Sequence, residues 1–178
     1  MKITTTRLLI LGVLTLVAFS SSWAEGPLGQ PGGPPPPPPR AIPAITAPDM
    51  FPNGCVDCHV HRADLGLDVR LSTLMKQWCE GAPPKLATAA QASAPAGVKL
   101  AGKHPEVAEA LADVPRRCLE CHGADAQEAP PFGRLMHRVH LTGGEENHFL
   151  TMFQGECTHC HKLDVVTGAW RLSSGPEK

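Results

Sequence analysis

The chain has 178 residues, with 16 Lys or Arg against 17 Asp or Glu, a formal net charge of −1. That balance argues against nucleic acid as a partner, because phosphate binding draws on an excess of basic side chains. With no Tyr, five Phe and three Trp, the chain is poor in the large groups that fill a core, so a core built from protein alone would be thin.

The first stretch has Lys2 and Arg7, an apolar run from Leu8 to Phe19, and then Ser20-Ser21-Ser22-Trp23-Ala24. A basic start, a short apolar run and a small-x-small ending describe a secretory signal peptide over residues 1–24, cleaved after Ala24. The alternative is a membrane anchor, but the 12 residues from Leu8 to Phe19 fall short of the about 20 that a spanning helix needs. Residue 25 is Glu rather than the Cys of a lipid anchor. The mature chain has no further apolar run long enough to span a bilayer. Taking Lys2 and Arg7 from the 16 basic residues leaves 14 against 17 acidic ones, a formal −3. Such mild acidity suits docking to basic patches on other proteins.

Residues 25–52 are rich in Gly and Pro, with six consecutive prolines at Pro34–Pro39. Proline fixes φ and removes the amide donor, so neither helix nor sheet is expected there. The run predicts a polyproline II spacer of roughly 19 Å, at about 3.1 Å per residue. The domain proper is expected over residues 53–178.

That domain opens on Cys55-Val56-Asp57-Cys58-His59, the first of three copies of Cys-x-x-Cys-His. The others are Cys118-Leu119-Glu120-Cys121-His122 and Cys157-Thr158-His159-Cys160-His161. This is the attachment signature of a c-type haem: two thiols form thioethers to the haem vinyl groups, and the following His reaches the iron from the same side. Zinc sites also use Cys-x-x-Cys pairs, but they gather four ligands. Here the pairs are odd in number, and each carries its own His. Thiol–disulfide motifs share the spacing but sit in a strand–helix context absent here. Three covalent haem c groups are therefore expected, held by Cys55, Cys58, His59, Cys118, Cys121, His122, Cys157, Cys160 and His161. Haems of this kind are attached in bacteria beyond the cytoplasmic membrane, which agrees with export to the periplasm or the extracellular space.

After the first motif, Leu67, Leu71, Leu74, Met75 and Trp78 recur at helical spacing, predicting a helix from about Asp68 to Glu80. Met75 reads as a packing residue, and Cys79, outside every motif, as a buried thiol. Residues 81–102, rich in Ala, Pro and Ser, read as a loop. His104-Pro105-Glu106 resembles a helix start, with Pro at the first helical position, Val107 and Leu111 on its inner face, and Val114-Pro115 ending it. Residues 123–133 read as loop. A short helix over about Arg134–Leu141 carries His137 and His140 at i, i+3 and stops at Gly143-Gly144. Residues 147–153 form a last apolar turn, and the tail from Leu163 looks strand-like or irregular. The fold expected is mainly α with much irregular loop, a few short helices and a haem-dominated core.

Beyond the motif His, six remain: His61, His104, His137, His140, His148 and His159. Three irons need three further donors if each is six-coordinate. The supply favours bis-His iron, which suits electron transfer and low potentials. His104, His137 and His140 are the expected second donors, so the iron ligands are His59, His122, His161, His104, His137 and His140. His61 and His148 stand in reserve. His159, inside a motif, is expected at the surface, turned away from its own haem.

Three Cys-x-x-Cys-His motifs with a separate His137-Arg138-Val139-His140 pair resemble the small multihaem, here trihaem, c-type cytochromes of anaerobic respiring and metal-reducing bacteria. The resemblance implies that the His-x-x-His pair supplies sixth ligands to two different haems, which holds those haems close together. In the best-known members the pair precedes the first haem motif, whereas here it lies between the second and third. The residues from His104 through Gly168 are also similar to segments of larger multihaem cytochromes.

The function expected is electron transfer by a soluble exported carrier, handing electrons to other redox proteins or an extracellular acceptor. One alternative is a haem enzyme in which one iron lacks a sixth protein ligand and reduces a small substrate. Another is a haem-bearing subunit of a conductive filament or of a membrane oxidoreductase complex.

Overall fold

A chain with few large apolar groups has little to gain from long elements, and the elements here are short. The structure, a computed structural model, describes residues 37–178. The signal peptide expected over 1–24 and the spacer through residue 36 lie outside the described residues. Among the described residues are five α-helices, none longer than ten residues, several 3₁₀ turns and two small sheets. The fold is mainly α with much irregular loop. No helix among the described residues is long and apolar enough to cross a membrane.

Helix α1 (Cys55–Cys58) follows Gly54, whose φ of 63° favours glycine. Strands β1 (His61–Arg62) and β2 (Leu67–Asp68) pair antiparallel, with His61 opposite Asp68. Helix α2 (Leu71–Glu80) starts later than the apolar spacing predicts. Asp68 belongs to β2, and its carboxylate accepts from the Arg70 amide at 3.1 Å and the Thr73 hydroxyl at 2.8 Å, closing the turn ahead of the helix.

Two expectations need correction. The stretch read as loop over 81–102 contains helix α3 (Pro84–Ser93). Pro84 sits in its first turn, where the missing amide costs nothing, and Ala87, Ala89, Ala90 and Ala92 are strong helix formers. Conversely, His104-Pro105-Glu106 does not start an α-helix; only a 3₁₀ segment forms, over Ala108–Ala112. The His104 amide donates to the Trp78 carbonyl at 2.8 Å, tying this segment to α2.

Helix α4 (Phe132–Leu141) covers the expected His-x-x-His segment, and α5 (His148–Phe153) follows it. Asn147 joins the two. Its Oδ1 accepts from the Phe149 amide at 3.0 Å, capping α5, and its Nδ2 donates to the carbonyls of Val139 (2.9 Å) and Thr142 (2.7 Å) at the end of α4. Asn147→Ala removes the cap and both bonds. It is expected to cost about 2 kcal/mol, read as a lower urea midpoint of the purified protein. A change below a few tenths of a kcal/mol would deny Asn147 this joining role.

The tail forms a hairpin of β3 (His161–Leu163) and β4 (Trp170–Leu172), with His161 opposite Leu172. Beyond it, Gly175 exchanges both backbone bonds with Val114, at 2.8 and 2.9 Å. The Glu177 amide donates to the Leu111 carbonyl at 3.1 Å, and the Glu177 carboxylate accepts from the Ser72 amide at 2.6 Å. Lys178 pairs with Asp57. This last segment joins the first two motif regions.

Residues 40–178 form one compact unit, and side chains from 40 to 51 pack against the domain. Arg40 pairs with Glu156. Asp49 pairs with Lys162 at 2.9 Å, and Phe51 packs edge-on against His159. The core is thin. Among the described residues the buried apolar side chains are few: Val56 and Val114, with the rings of Pro115 and Pro130. Val166, by contrast, is 91 % exposed.

Candidate functional site

Each Cys-x-x-Cys-His copy winds into a single tight turn. The first is α1, and the second and third are 3₁₀ turns over Cys118–Glu120 and Cys157–His159. A tight turn places the two thiols on one side and delivers the next residue, His59, His122 or His161, just beyond it. All seven cysteines lie among the described residues, and none of them is in a disulfide. Burial pushes the Cys55 thiol up to about 12, with Cys160 and Cys118 nearby adding to the shift. Cys58 is pushed up to about 11 by burial and by Cys160. The first motif lies against the third: a Cβ on Gly54, just ahead of Cys55, would sit 3.8 Å from the His159 carbonyl. Cys79 is half-buried and points its thiol at the Pro105 carbonyl, 3.5 Å away. Met75 is half-buried on α2.

Each motif His faces a second His. His59 lies opposite His140, with ring centroids 6.3 Å apart and planes crossed at 89°. His122 lies opposite His104 at 5.8 Å, with planes 23° apart. His161 lies opposite His137 at 5.9 Å and 46°. When two imidazoles face one another across a single first-row metal, bonds of about 2 Å and about 1 Å more to each ring centre put the centroids about 6 Å apart. All three separations accommodate one iron, and nitrogen from two neutral imidazoles is a donor set that haem iron takes.

Two of the motif rings are held toward the neutral form. Burial, with His140 adding to it, keeps His59 below the ordinary histidine range. Burial and the neighbouring His137 do the same for His161. A neutral imidazole is the ligating form. Four rings are also oriented by a bond from Nδ1 to a backbone carbonyl. His59 bonds to Val69 at 3.0 Å, His140 to Met136 at 3.0 Å, His122 to Pro130 at 2.7 Å and His104 to Pro105 at 2.7 Å. A carbonyl only accepts, so Nδ1 carries the proton and Nε2 keeps its lone pair. That is the arrangement typical of a metal-bound His.

Helix α4 carries both His137 and His140, one turn apart, and so serves two of the pairs. His104 serves the remaining one from the segment tied to α2. His61 and His148 are exposed and, among the described residues, face no motif His. Among the described residues no group of three or more His, Cys, Asp or Glu gathers to hold a bare metal ion; the histidines come in facing pairs.

His159 departs from the expectation of a surface residue. It is only 9 % exposed and sits in a cage of Phe51, Phe149 and Phe153, with centroids 4.7, 6.4 and 6.1 Å away. The third motif's turn packs its middle residues, Thr158 and His159, inward. Burial lowers the His159 pKa, and its Nδ1 has no hydrogen-bond partner. Three of the five Phe converge here, and that concentration of scarce aromatics was the only sequence signal for the cage.

Beside the second motif, Pro115, Arg116 and Leu119 line a cleft of about 220 Å³ with Leu172 and Ser174. The chain matches no family model, no curated protein and no solved structure.

Proposed function

We propose that the chain is an exported electron carrier holding three covalent c-type haems, each with two axial histidines. The observation that carries this reading is the pairing itself. Every Cys-x-x-Cys-His motif has its His facing a second His at a separation that takes one iron, and the second His comes from outside the motif each time. On this reading the first haem is held by Cys55, Cys58, His59 and His140. The second is held by Cys118, Cys121, His122 and His104, and the third by Cys157, Cys160, His161 and His137.

The thin core supports the same reading. A chain with so few buried apolar side chains among the described residues gains from wrapping large apolar plates. When bound, the haems supply reversible one-electron chemistry. The protein's part is to fix the donors. The carbonyls of Val69, Met136, Pro130 and Pro105 set ring orientation and tautomer, and α4 keeps two axial donors a fixed turn apart. The closeness of the first and third motifs, and α4 carrying a donor for each, favours a short hop between those two haems. The partners proposed are other redox proteins or an extracellular acceptor, and the location is the periplasm or beyond.

The test is a haemochrome count and intact mass on protein purified from a host able to attach haem. Three covalent haems per chain are expected, with an EPR spectrum of the oxidised protein made up of low-spin signals. A purified protein that carries zinc, or no haem, would sink the reading.

A further inference from the structure

Two of the three facing pairs are anchored on both sides, and one is anchored on neither. His59, His140, His122 and His104 each donate Nδ1–H to a backbone carbonyl. Among the described residues, His137 and His161 make no such bond. The two differ in setting as well. His137 is the exposed member of the six, whereas the other five are half-buried. It sits on α4 beside Arg138, and the hairpin that carries its partner His161 holds the exposed Val165 and Val166.

A carbonyl acceptor on Nδ1 raises the basicity of the ligating nitrogen and holds the ring in place, and the loss of such an outer partner weakens metal binding by about 10–100-fold. An imidazole without one, on the solvent side, is a poorer donor and swings away more easily.

We infer that the third haem is a site for a small π-accepting diatomic, opened by displacement of His137 from its iron. This rests on the haem reading above. The exchange breaks the iron–nitrogen bond to His137 and forms a bond to the incoming ligand. Each donor brings its own electron pair, so nothing is oxidised or reduced, and the imidazole leaves neutral into solvent. The other two haems stay closed because both of their axial rings are held.

Carbon monoxide is the probe, added to the dithionite-reduced holoprotein and followed by absorption. Wild type is expected to take up one molecule per three haems. His137→Ala still takes up one, at least about tenfold faster, because the displacement step is gone. His104→Ala takes up two, the newly opened second haem plus the third. Uptake of two by His137→Ala would overturn the inference, since it places wild-type uptake at a different iron. So would no uptake by a wild-type protein carrying three haems, and that result leaves the carrier reading standing. A haem count below three fails both. If His137→Ala does not accumulate, His104→Ala and His140→Ala decide together: two molecules in each places wild-type uptake at the third haem, and one in either places it at that variant's own iron and overturns the inference.

Discussion

On the haem reading, placing proline at position 139 is expected to turn two of the three haems high-spin and leave one low-spin. Val139 lies inside α4, between His137 and His140. Proline there removes an amide donor and drives its ring into the carbonyl one turn back, which costs about 3 kcal/mol or more in a helix interior. The carbonyl of Val139 also accepts from Asn147, so the α4–α5 join loosens with it. His140 faces His59 and His137 faces His161, so one local break withdraws an axial donor from the first and third haems together. The pair proposed for the second haem, His122 and His104, has neither member on α4. Thioether attachment does not depend on α4, so the haemochrome count stays at three while the EPR spectrum changes. Single variants separate the two contributions: His140→Ala and His137→Ala each convert one haem. A Val139→Pro protein with all three haems still low-spin would refute the assignment of α4 as the shared carrier of axial ligands.

The second large effect is at the ion pair beneath the third motif. Lys162 is 5 % exposed, and its ammonium donates to Asp49 at 2.9 Å and to the Thr158 carbonyl at 2.7 Å. Removing one partner of a buried pair leaves a charge out of water without compensation. Asp49→Ala is therefore expected to destabilise the protein by about 3 kcal/mol. Lys162→Met keeps most of the volume and removes the charge, so it is expected to cost much less, and the double variant to resemble Lys162→Met alone. Urea unfolding of all three against wild type checks this. If Asp49→Ala and Lys162→Met cost the same, packing rather than the stranded charge accounts for the loss.

The three motif turns were legible because their chemistry is local: a tight turn brings two thiols and a His to one place using five consecutive residues. The helix around His137 and His140 was legible from its spacing, and Asn147 to Phe153 from a polar residue ahead of an apolar run. The hidden parts have physical reasons. The α3 segment looked like a loop because Pro83-Pro84 and Pro95 frame it, although its alanines favour helix. The segment at His104 looked like a helix start, but a bond to Trp78, 26 positions earlier, decides its path. The carbonyls that orient the four anchored rings left no trace, since every residue offers one. The partner of each motif His was likewise unreadable, because pairing across 81 residues, as between His59 and His140, depends on the assembled fold. His159 was misread for the opposite reason: its position inside a motif suggested exposure, while the surrounding Phe residues come from elsewhere in the chain.

The segment from Ser173 to Lys178 adds a matter of timing. It is the strip that bonds to Val114, Leu111, Ser72 and Asp57 and so draws the first two motif regions together. A chain that crosses a membrane N-terminus first, as export implies, presents those partners before the strip. Until then both regions remain an open, loosely held chain, since contacts so distant in sequence form late. On the haem reading, that interval is useful. Thioethers at Cys55, Cys58, Cys118 and Cys121 can then form on chain that the strip has not yet latched.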